Sequence, residues 1–128
     1  VDITDTGTGT HTWRQEVVSR LFYVKDYRHM EIHLDAESSP DVTLRFMSSI
    51  SDSAPTFLNA QTASNRWDYV EIVDKEDGTV IDGDTNVALS AEDHRHFVIN
   101  VDGATWIAIK TLNYAGGDIS IRAVGYSD

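Results

Sequence analysis

The 128-residue chain contains no cysteine. That absence excludes a disulfide framework, an iron–sulfur cluster, a thiolate zinc site and a cysteine nucleophile. Basic residues are scarce: 10 Lys and Arg stand against 21 Asp and Glu, for a formal charge of −11. This balance argues against nucleic acid as a partner, because phosphate binding needs a basic surface to displace counterions. No apolar run approaches the ~18–20 residues of a membrane-spanning helix, so no membrane partner is expected. There is no Gly-x-Ser-x-Gly elbow and no HExxH or three-histidine motif, and these gaps point away from an enzyme. What is present is ordinary for a globular chain: 41% hydrophobic and 24% charged residues. The length suits one domain, large enough to bury a core without covalent staples.

Residues 1–12 are polar and rich in Thr, Gly and Asp. Such a segment buries little, so it reads as a flexible N-terminal arm preceding a single domain over 13–128. Beyond it, strand signals dominate. Met30 to Asp35 alternates apolar and polar strictly, and Val42 to Phe46 repeats the pattern after a Ser-Ser-Pro-Asp turn. Trp67 to Val73 is aromatic and β-branched, and Asp77-Gly78 separates it from Thr79-Val80-Ile81 as a hairpin cue. Phe97–Val101 and Thr105–Ile109 flank Asp102-Gly103, the strongest hairpin signal in the chain. Ile119 to Val124 alternates again. Arg14 to Val24 carries a helical spacing, but Leu21-Phe22-Tyr23-Val24 favours strand. Ser48–Ser64 is the longest irregular stretch; Pro55 blocks a central strand there, and Phe57 and Leu58 are expected to tie it to the body. Seven to eight short strands at this spacing predict an all-β fold, an antiparallel, jelly-roll-like β-sandwich.

Three constellations carry potential chemistry. Nine carboxylates and one lysine lie between Asp68 and Asp93, and within them Asp82, Asp84 and Asn86 offer oxygens at every second position. A calcium ion takes such ligands, but Val87 replaces the glycine of an EF-hand loop and no glutamate closes it, so an acidic turn without cofactor is the expectation. His94 and His96 share a strand face, as do His29 and His33, and Asp93 stands beside the first pair. Paired imidazoles can bind zinc, yet surface histidines that respond to mild acid, at roughly pH 6–7, are the plainer reading. Trp67 and Tyr69 share a face, which suits a core or a subunit interface. Thr8, Thr10 and Trp13 in or beside the arm, with Trp67, Tyr69 and Tyr114, are the candidate interface residues.

The runs Asn65-Arg66-Trp67-Asp68-Tyr69-Val70, Asp77-Gly78-Thr79-Val80-Ile81-Asp82-Gly83-Asp84, Asn100-Val101-Asp102-Gly103-Ala104-Thr105-Trp106-Ile107 and Tyr114-Ala115-Gly116-Gly117 resemble those of small all-β accessory structural proteins of tailed bacteriophage virions. The resemblance covers residues 40–125 and consists of strand-and-turn chemistry. It implies a capsid decoration or other accessory protein, bound to the major capsid or another virion protein as a symmetric homo-oligomer, a trimer by expectation. An arm threaded onto a neighbouring subunit would suit residues 1–12. Synthesis in a reducing cytoplasm followed by virion incorporation accords with the missing cysteine. Two alternatives remain open. One is a carbohydrate-binding module with Trp67, Tyr69, Trp106 or Tyr114 as a stacking platform over a calcium loop. The other is an extracellular filament subunit that donates its arm as a strand.

Overall fold

The computed structural model describes residues 17–37, 41–85, 87–89, 94–115 and 118–127. The proposed arm, with Thr8, Thr10 and Trp13, and the calcium candidate Asn86 lie outside the described residues. The described residues form ten strands: β1 Val17–Tyr23, β2 His29–Glu37, β3 Asp41–Ser49, β4 Asp68–Tyr69, β5 Ile72–Asp74, β6 Val80–Ile81, β7 Val87–Leu89, β8 His94–Asn100, β9 Trp106–Ala115 and β10 Asp118–Tyr126. The excess over seven or eight comes from the division of Trp67–Val73 into β4 and β5 and from the short β7, which the sequence does not signal.

The strands form two five-stranded antiparallel sheets. The first runs β1-β9-β3-β4, with β7 also paired to β3; the second runs β10-β2-β8-β5-β6. Between them lies an apolar core. Alternation does the sorting in β2, where Met30, Ile32, Leu34 and Ala36 are fully buried and the residues between them face outward. Leu44 and Phe46 from β3, Ile107 and Ile109 from β9, and Phe97 and Ile99 from β8 complete the centre. Phe46 meets Phe97 edge-on at 5.8 Å, joining the two sheets. Each such side chain contributes roughly 1.5–3 kcal/mol by leaving water.

Alternation fails in β9, where Ile107, Ala108 and Ile109 are buried in succession. The cause is the 50–67 segment, which covers part of the outer face of the first sheet. Phe57 from that segment packs with Met47 and Ala108, and Leu21, Trp67, Tyr69 and Trp106 surround them. Two indole N–H groups hold the segment down: Trp67 donates to the Asn59 carbonyl at 3.0 Å and Trp106 to the Ser51 carbonyl at 3.1 Å. Phe57 ties the segment to the body as expected, but Leu58 is 47% exposed and does not.

Two local expectations need correction. The run Trp67–Val73 is not one strand. Val70 donates its N–H to Phe46 of the first sheet, and from Ile72 the chain pairs in the second. Asp102-Gly103 does form a tight turn, with Gly103 at φ +88° and Ala104 bonded back to Val101 at 2.8 Å. It joins β8 to β9, however, and these belong to different sheets. Val101 N–H bonds Arg28 on one side while Thr105 N–H bonds Ser49 on the other, so the turn is an arch across the sandwich and not a hairpin. Asp77-Gly78 is the true hairpin: β5 and β6 pair across it, and Gly78 takes φ +75°.

Candidate functional site

The second sheet presents a polar outer face, and its register decides which side chains meet there. Along β2 the outward residues are Glu31, His33 and Asp35. His33 lies opposite His96 and Asp35 opposite His94 on β8, while Arg122 of β10 lies opposite His33 from the other side. The His33 and His96 rings stack, 3.9 Å between centroids and 10° from parallel. His94 Nδ1 lies 2.7 Å from Asp35 Oδ1.

Glu31 is the hub of this face. Its Oε1 accepts from Lys75 Nζ at 2.8 Å and lies 2.9 Å from His33 Nε2, and the Tyr126 hydroxyl is 3.4 Å from its Oε2. Lys75 is brought there because it follows β5 directly and its backbone N–H bonds His96 of the neighbouring β8. The Glu31 side chain is only 13% exposed. The lysine hydrogen bond, then the histidine one, hold its carboxyl down to about 2 against an ordinary 4.5, while burial opposes them. Lys75 is raised in turn by Glu31.

Beside this hub a cleft of about 350 Å³ is lined by Asp74, Lys75, Glu76, His94, Arg95 and His96. Its buried carboxylate, Asp74, accepts from Arg95 at 2.7 Å and from the Glu76 N–H at 3.0 Å. The Arg95 guanidinium also sits 5.2 Å from the Phe97 ring centre. Asp74 and Arg95 are thus a satisfied pair at the rim of the core.

Among the described residues, Glu31, His33 and His96 are a group able to hold a metal ion, with one ligand atom from each lying within 4.8 Å of the others. The sequence pairs different histidines. His94 faces Asp35, and His29 lies opposite Asn100, so the pair that meets is drawn from two strands. Only the β2–β8 register could reveal this, and no local spacing encodes it.

Asp82 and Asp84 are exposed on a turn closed by the bond from Thr85 N–H to the Asp82 carbonyl at 2.9 Å. The glycine between them has a structural cause. Gly83 is buried, its carbonyl accepts from Phe46 N–H, and a Cβ there would stand 2.5 Å from Val70 N. Trp67 and Tyr69 do share a face, with rings 5.2 Å apart at 88°. Tyr23 and Trp106 meet at 5.2 Å and 72°. Both contacts are edge-on, the geometry of aromatic packing and not of a flat platform. Tyr114 lies in β9.

No family model matches this chain, and no curated protein matches it in sequence. Its fold is similar to the crystal structure of the SPBc2 prophage-derived protein YomS, with a TM-score of 0.64 at 9% identity, over 94% of this chain and 88% of that one.

Proposed function

We propose that this chain is a structural protein of a bacteriophage virion, a capsid decoration or accessory subunit that binds the particle surface as a symmetric homo-oligomer. The observation that carries the reading is the likeness in fold, across nearly the whole chain, to a prophage-derived protein. The winding adds support. Successive long strands alternate between sheets, and the segments β1-β9-β3-β7 and β2-β8-β5-β6 resemble jelly-roll winding, an architecture used by viral capsid domains. Open edges add more. Among the described residues β10 ends one sheet and β1 ends the other, with nine and seven residues respectively. Edges of that length invite pairing with another chain unless something covers them. The partner in this reading is the major capsid or another virion protein, and the oligomer is a trimer. The acidic surface limits nonspecific association. The reading assigns the chain no reaction.

Analytical ultracentrifugation tests the oligomer. A single species at three times the 14.3 kDa chain mass supports the trimer; a monomer at all concentrations removes it.

A further inference from the structure

We propose that Glu31, His33 and His96 form a binding site for a divalent cation of the zinc class on the open face of the second sheet. Two imidazoles and a carboxylate are a ligand set that zinc accepts, with a fourth position left for water. The three residues sit on β2 and β8, adjacent central strands of one sheet, so their spacing is set by backbone pairing and not by loop conformation. His96 is exposed, which leaves an entry path from solvent. The ligand atoms lie within 4.8 Å of one another. Ligands of a tetrahedral zinc at ~2.0–2.2 Å stand ~3.3–3.5 Å apart. Closing that difference needs the two stacked rings to tilt about χ2, a broad and soft torsion.

Lys75 marks where the charge would sit. Its ammonium already occupies the carboxylate, 2.8 Å from Glu31 Oε1. A metal ion would displace it, and His33 would turn a lone pair to the metal, carrying its proton on the other ring nitrogen. The lysine is therefore a competitor, not a ligand, and its removal should strengthen binding. This site is independent of the virion reading; either can fail alone.

The test is calorimetric titration of the EDTA-treated full chain with Zn²⁺, repeated with Co²⁺ to read the visible bands of a tetrahedral site. One ion per chain is expected. His33→Ala and His96→Ala should each weaken binding by about 100-fold or more, and Glu31→Gln by about 10-fold, since losing even a partner that only orients a ligand costs about 10–100-fold. Lys75→Met should tighten binding several-fold, and His29→Ala should leave it unchanged. Far-UV circular dichroism establishes that each variant is folded, and His96→Gln repeats the test with a smaller change of shape. Absence of saturable zinc binding would overturn the proposal. So would binding that survives in folded His33→Ala and His96→Ala, or that weakens when Lys75 is removed.

Discussion

Glu31 and Lys75 are joined across the second sheet by a 2.8 Å contact between Oε1 and Nζ, although Glu31 lies on β2 and Lys75 follows β5, with β8 between those strands. Val98 is the residue opposite Glu31 on that intervening strand. The lysine spans the intervening strand to a carboxylate that also meets His33, which makes Glu31 the electrostatic centre of the face.

Acid should therefore destabilise the fold through Glu31. Its folded value of about 2 lies below the ordinary 4.5. Its contribution is complete above the ordinary value and is lost as pH falls from about 4.5 toward 2. Asp77 is depressed as well, chiefly by its hydrogen bonds to Thr79, and acts with the same sign. In Glu31→Gln the decline of unfolding free energy over that interval should be shallower than in the parent. Urea unfolding at a series of pH values measures the two slopes, and parallel slopes would contradict the assignment.

Lys75→Met should cost little at neutral pH, because the lysine is 46% exposed and such pairs are screened. Denaturant midpoints compared at low and high salt should converge for parent and variant as salt rises. A large loss that is indifferent to salt would mean the lysine stem, not its charge, supports the sheet.

Gly83→Ala should destabilise by at least about 2 kcal/mol, since a methyl group there runs into the backbone of Val70 and Phe46. Gly125→Ala should also be costly: the Tyr27 ring lies 2.6 Å from where its Cβ would be. Gly78 differs, because the space around it is open and only its φ of +75° disfavours a side chain. Gly78→Asn should accordingly fall within about 1 kcal/mol of the parent. Thermal unfolding of the three variants checks the order, which inverts if glycine serves only turn geometry.

Trp67→Ala should loosen the 50–67 segment while the sandwich stays folded. It removes packing against Phe57 and Tyr69 together with the bond to Asn59. Trp67→Phe keeps much of the packing and loses about 1 kcal/mol for the hydrogen bond. Limited proteolysis should cut the first variant within 50–67 faster than the second. Equal rates in both and in the parent would show that the segment is held by other contacts.

The sequence made the fold class legible because burial follows the two-residue period wherever one face of a strand meets water, as in Met30 to Ala36. It was less informative about connectivity. Asp102-Gly103 has the chemistry of a tight turn, and that chemistry is the same whether the flanking strands pair or part. Trp67 to Val73 reads as one run because the crossing at Val70 and Glu71 interrupts pairing without interrupting β-propensity. The burial of Ala108 depends on Phe57, far along the chain, so local alternation could not foretell it. The face built by Glu31, His33, His96 and Lys75 was hidden for the same reason. Its members come from β2, β8 and the end of β5, and their meeting is a property of sheet order and register.

The most direct measurement of the proposed role is electron microscopy of the purified phage particle, with the structure fitted to its surface density. The virion account predicts repeated copies of the two-sheet sandwich at symmetry positions on the head or tail, with neighbouring copies in contact. Particles whose surface density leaves no place for it, and whose protein content lacks the chain, would contradict the account.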